Sequence, residues 1–155
     1  MNNNRPENPM PTGNENFANT LKGLMEEGIK DAIYDSDCYM QLANRITDPA
    51  DKNLLMEIKS DAGKHKTLLE GIYSSITGDN APEFSLPKAS LPEDLAQAIA
   101  EKLFDETDSL DFYTRLLSNL TEADLRDILI EIIADESIHA DYLNYLFAKY
   151  NNTRQ

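Results

Sequence analysis

The two histidines of this 155-residue chain, His65 and His139, stand 74 positions apart, and that interval is a period of the chain itself. Sliding the sequence on itself by 74 residues aligns 31–73 with 105–147 without a gap, and 11 of the 43 positions are identical. Among the identities are Asp37/Asp111, Tyr39/Tyr113, Leu55/Leu129, Asp61/Asp135, His65/His139 and Leu69/Leu143. Ordinary composition would give about three by chance. The chain therefore reads as two copies of one unit related by an approximate twofold axis, and its fold must place two equivalent halves around a shared core.

Each copy carries two helical seams. Leu21, Met25, Gly28, Ala32, Asp35, Tyr39, Leu42 and Ile46 recur at alternating spacings of four and three, which is the period of one buried helix face. Asp48-Pro49 supplies a side-chain cap and a proline at the first helical position, and Leu55, Ile58, Ala62, His65, Leu69, Ile72 and Ile76 continue the period to a stop near Gly78. Ser90-Leu91-Pro92-Glu93 has the order of a capping box and predicts the start of a third helix, whose seam runs through Leu95, Ile99, Lys102, Glu106, Ser109, Tyr113, Leu116 and Leu120. A last seam follows from Leu125 through Leu129, Ile132, Glu136, His139, Leu143 and Leu146 to Tyr150. With no strand pattern, the prediction is an all-α four-helix bundle made of two duplicated antiparallel hairpins. The linker from Thr77 to Ala89, at about 3.3 Å per residue, reaches roughly 43 Å. Helix two is about 42 Å long, so a crossover that sets helices two and three parallel is permitted. Residues 1–14, rich in Asn and Pro, read as a disordered tail, with the bundle over 15–150.

Composition removes several function classes. A formal charge of −14 repels nucleic-acid backbones and anionic lipid surfaces. No apolar run approaches the roughly 18 residues of a membrane span, and the amino terminus lacks the order of a secretion signal, so a cytoplasmic location is expected. Cys38 is the single cysteine, which excludes an internal disulfide and a CxxC metal site. Any metal must be held by His and carboxylates.

At mid-height the seams, which should be apolar, carry Asp35, His65, Glu106, Glu136 and His139. Each buried ionisable group costs several kcal/mol, on the order of a whole core residue, unless it is paired or bound to a cation, so the five read as one cluster. Glu136-Ser137-Ile138-His139 sets a carboxylate and an imidazole one turn apart on the same helix face, as two ligands of one ion must be. The bland alternative is a metal-free network in which two Glu face two protonated His.

Taken together, these residues resemble the ferritin-like, rubrerythrin-type diiron carboxylate family over residues 15–149. That family's pattern has a Glu seven residues before a Tyr on the first and third helices, and Glu-x-x-His on the second and fourth. Glu106 precedes Tyr113 by seven, and Glu136 with His139 matches the fourth-helix motif. The first-helix Glu, however, falls on Ala32 and the second-helix Glu on Ala62. The resemblance thus implies a ferritin-like bundle whose dinuclear site has lost two ligands. The surviving set would be Glu106, Glu136, His139 and His65, with Asp35 able to swing in, and Asp61 and Asp135 orienting the imidazoles. Two or three carboxylates suit one divalent ion better than two, with iron first and manganese or zinc as substitutes. The resemblance further implies oxygen or peroxide chemistry, an external electron donor, and, as the default assembly, a homodimer. The opposing class is a non-catalytic structural bundle of the spore-coat type.

Overall fold

The computed structural model describes residues 14–152, with side chains from residue 20 onward. It contains α1 (Asn14–Arg45), α2 (Pro49–Thr77), α3 (Leu95–Asn119) and α4 (Ala123–Asn152), and no strand among the described residues. The tail expected over 1–14 lies outside the described residues, apart from Asn14, which already belongs to α1. None of these helices is long and apolar enough to cross a membrane.

The second helix starts and stops where its sequence says. The Asp48 carboxylate accepts from the backbone N–H groups of Ala50 and Asp51, Pro49 fills the first turn, and Gly78 closes the helix at φ 78°, a left-handed backbone that suits glycine. The third helix differs. Its cap is Asp94, which accepts from Gln97 N at 2.7 Å, not Ser90. Pro92 disfavours helical backbone at Leu91. The segment around Ser90 is instead held against α1: Ala89 N donates to Asp37 Oδ2 at 2.7 Å, and Gln41 Nε2 donates to Ala89 O at 2.9 Å.

The helices pack as two tight hairpins, α1 on α2 and α3 on α4. Further contacts join α1 to α3 and α2 to α4, while the diagonal pairs stay more than 8 Å apart between Cα atoms among the described residues. Directions follow from the ends. Arg45 Nη1 donates to Pro92 O at 2.5 Å, so the end of α1 meets the start of α3. Lys149 Nζ lies 2.9 Å from Asp48 Oδ2, so the end of α4 meets the start of α2. Both contacting pairs are antiparallel, which makes α2 and α3 parallel and sends the linker 78–94 along the length of the bundle. It passes Phe84 under Lys30 and Ala89 beside Asp37 on its way.

The core is split in two. One cluster, around Met25, Ile29, Leu69, Ile72, Leu116 and Leu129, fills one end; the other, around Leu42, Leu55, Ile58, Ile99, Leu143 and Leu146, fills the opposite end. Each fully buried aliphatic side chain contributes about 1.5–3 kcal/mol, so the two ends hold the bundle and leave the middle free to carry polar groups. At one end Asp51, 1% exposed, binds Lys149 Nζ at 2.7 Å and accepts from Tyr150 Oη at 2.7 Å. Asp51→Ala removes the buried acceptor that Lys149 and Tyr150 share and should destabilise the protein by about 2 kcal/mol in denaturant unfolding. Lys149→Ala leaves the buried Asp51 carboxylate without its cation and should cost at least as much; a clearly smaller cost would contradict this view of the clamp.

Candidate metal centre

The slice between the two apolar ends is where the four helices converge on polar side chains. His65, Glu106, Glu136 and His139 are all buried, and their seam spacing is the reason: each falls one or two helical turns from a core residue on its own helix. The two imidazole rings face one another across the bundle, with centroids 5.9 Å apart and planes inclined by 34°. The twofold relation is visible in the contacts. His65 Nε2 lies 3.1 Å from Asp135 Oδ2, and His139 Nε2 lies 3.1 Å from Asp61 Oδ2. Each aspartate thus orients the imidazole of the other hairpin, tying the halves together and turning both Nδ1 atoms inward.

Inside this frame the halves diverge. His65 Nδ1 sits 3.0 Å from Glu136 Oε1, whereas His139 Nδ1 sits 3.5 Å from Glu106 Oε2, beyond hydrogen-bond distance. Tyr39 donates its hydroxyl to Glu106 Oε1. The position equivalent to Glu106 in the first copy is Ala32, and the one equivalent to Glu136 is Ala62, so two donors are absent there. Glu106 Oε2 is the one buried side-chain polar atom among the described residues that has no hydrogen-bond partner.

Protons and charges complete the picture. Burial, the hydrogen bond to Glu106 and the charge of Glu106 hold the Glu136 carboxyl far above the ordinary range, so it keeps its proton. Burial works against ionising Glu106 too, but the neighbouring Glu136 and His139 and the Tyr39 hydroxyl outweigh it and keep Glu106 charged. Between them the two carboxyls hold one proton, on Glu136. Burial lowers the pKa of His65 despite Asp135. For His139 burial is overcome by Glu106 and Asp61, and its pKa is raised.

Sequence reasoning named Asp35 as a ligand that could swing in; the structure gives it a different partner. Asp35 Oδ1 lies 2.5 Å from Lys102 Nζ, whose side chain is 2% exposed. Burial pushes the Asp35 carboxyl up to about 6 against the pull of Lys102. Lys102 also reaches Asp105 Oδ2 at 3.0 Å. The seam spacing had placed Lys102 on the inner face without counting it in the polar layer. The available signal was a deficit: three acids in one layer with no cation to match them.

Glu106, Glu136 and His139 each bring one donor atom to within 4.8 Å of the others, a set that could hold a metal ion. His65 flanks it, with both ring nitrogens engaged. The donors fit a divalent cation: an unsatisfied carboxylate oxygen, a second carboxyl that can yield its proton, and an imidazole whose far nitrogen is anchored. The adjacent cavity, lined also by Ala32, Ala62 and Tyr113, has room for about one water-sized group. On the outside, a groove between α1 and α3 carries Glu27, Asp31, Asp105 and Asp108 and meets the cavity at Asp35 and Tyr113.

Fold and site together define an all-α, two-hairpin bundle with a buried carboxylate–imidazole layer. No family model matches the sequence. The chain is 24% identical over 110 residues, 70% of its length and 73% of the relative's, to YhjR, an uncharacterized protein of Bacillus subtilis. Its structure is similar to that of a hypothetical protein from Pyrococcus furiosus, with a TM-score of 0.74 and 22% identity over 85% of this chain and 90% of that one. At that identity the likeness speaks for the fold.

A pH test follows from the protons. Above pH 7 an unfolded chain has released the proton of Glu136, whose folded pKa is raised to about 11, while the folded metal-free protein still holds it, and the raised pKa of His139 acts in the same direction. Stability must then fall as pH rises, by at most about 1.4 kcal/mol per pH unit for each proton retained. His65, lowered, is neutral in both states there and adds no slope. Denaturant unfolding in chelator should give a lower stability at pH 9 than at pH 7, and Glu136→Gln should flatten the difference; a wild type equally stable at both would contradict the proton on Glu136.

Proposed function

We propose that this is a metal-binding protein of ferritin-like, rubrerythrin-type kinship that holds one divalent ion at Glu106, Glu136 and His139, with iron the first candidate and manganese or zinc substitutes. The observation that carries the reading is the unpartnered Glu106 Oε2, buried within reach of two further donors. A buried carboxylate oxygen with nothing to accept from costs about 1–3 kcal/mol or more, and a cation relieves that cost while replacing the proton on Glu136. The aspartate-anchored imidazoles and the acidic groove support the same reading, because one fixes donor geometry and the other raises the local concentration of cations.

Within that reading each residue has a task. Glu106 and Glu136 supply charge and oxygen donors, His139 supplies Nδ1, and Asp61 holds His139 through Nε2. Tyr39 holds the other oxygen of Glu106 and so aims Oε2 at the cation. His65, bound to Asp135 and Glu136, positions Glu136 from the opposite side. A bound iron or manganese would supply one-electron chemistry toward oxygen or peroxide. We rank binding above catalysis, because Ala32 and Ala62 stand where a second ion would need carboxylates. The reading takes the molecule as a cytoplasmic homodimer served, in any redox role, by a separate electron donor.

A second reading has its own support: the Glu136 proton, His139 and the Lys102–Asp35 pair let the layer neutralise itself, as a structural bundle without metal requires. Metal analysis of protein purified without chelator separates the two. About one equivalent per chain, lost in a folded Glu136→Ala variant, is the expected result; no metal in the wild type, even after incubation with iron(II), manganese(II) and zinc, would overturn the proposal in favour of the structural bundle.

A further inference from the structure

Lys102 is the least expected residue in the core. Its ammonium lies at the boundary between the acidic groove and the polar layer, 2.5 Å from Asp35 Oδ1, 3.0 Å from Asp105 Oδ2 and 5.3 Å from the centre of the Tyr39 ring. The repeat gives it no counterpart, since the equivalent position in the first copy is Gly28, packed against Leu69 and Phe112. Asp35 likewise corresponds to Ser109. The pair therefore joins α1 of one copy to α3 of the other without a symmetric counterpart, on the side where Ala32 and Ala62 stand in place of carboxylates.

Charge decides what that placement does. Asp61 and Asp135 are held by the imidazoles, so the carboxylates left facing the cavity are Asp35, Glu106 and Glu136, and the Lys102 ammonium, shared with Asp105, takes up the first of these. A second divalent ion would have to sit where Ala32 and Ala62 bring no carboxylate and Asp35 is already held by Lys102. We propose that the Lys102 ammonium serves as a built-in cation for the amino-terminal half of the layer, taking up Asp35 and limiting the site to a single exchangeable metal ion. Lys102 is a positioning and stoichiometry-setting residue, not a ligand. The inference rests on the metal-binding reading above for its stoichiometry, but its charge role is separately measurable in metal-free protein.

The test is a cobalt(II) titration followed by calorimetry and visible absorption, with a double-mutant cycle of stability in chelator. Wild type should take about one equivalent. Asp35→Asn should keep that equivalent with a weaker Kd, because Asp35 pairs with Lys102 and does not ligate the metal. Lys102→Met frees Asp35 to join His65 and should admit a second equivalent; Lys102→Met/Asp35→Leu should return to one. In chelator the two sites should be coupled, Lys102→Met lowering the folding equilibrium constant at least ten-fold more alone than when Asp35→Leu is also present. Loss of metal in Asp35→Asn, or a single equivalent in folded Lys102→Met, overturns the proposal. Should wild type bind no cobalt, the metal-binding reading fails, and the cycle alone decides the charge role: coupling sustains it and additivity overturns it.

Discussion

A carboxylate taken out of water must meet a positive charge, a proton or a set of hydrogen-bond donors, and the middle of this bundle is organised by that demand. Glu106 is buried and ionised, and each neighbour answers it differently: Tyr39 with a hydroxyl, Glu136 with a proton, His139 with a ring whose charging it promotes. One oxygen of Glu106 remains without a donor. The apolar clusters at either end are what make such a layer tolerable, since they supply the stability that a polar centre does not.

Duplication explains the frame and divergence explains the site. Reciprocal Asp–His pairs join the hairpins at equal 3.1 Å distances, as a twofold axis demands, and they depend on residues that both copies kept. The carboxylates of the layer were not kept. One half has Glu106 and Glu136 where the other has Ala32 and Ala62, and one half has Lys102 where the other has Gly28. A symmetric scaffold thus holds an asymmetric layer, with the cation-ready donors gathered in the carboxy-terminal half and a lysine ion pair beside them.

Most of the fold was legible in the sequence, because burial on a long helix writes a four-three spacing that few other structures produce. The seams through Leu21–Ile46 and Leu125–Tyr150 fall on the inner faces of α1 and α4, and the linker does run lengthwise. The start of α3 was not legible: Ser90 has the chemistry of a cap, yet its neighbours are held by Asp37 and Gln41, side chains distant in sequence. Glu106, Glu136, His65 and His139 could be grouped because polar residues on an apolar seam need each other. Asp35 was placed in that layer, but its partner was not, because a lysine on a seam reads as a long apolar stem until the layer's charges are added up. Nor could spacing tell that Asp61 and Asp135 reach across to the opposite hairpin; that is a property of helix packing.

The central claim is that the layer accepts one cation, at one place. Anomalous diffraction from crystals of the wild-type protein grown with manganese(II) or zinc tests it most directly. The account predicts a single anomalous peak per chain, bounded by Glu106, Glu136 and Nδ1 of His139, with Lys102 still paired to Asp35. Two peaks in the layer, or one peak held by Asp35 with Lys102 displaced, would contradict it.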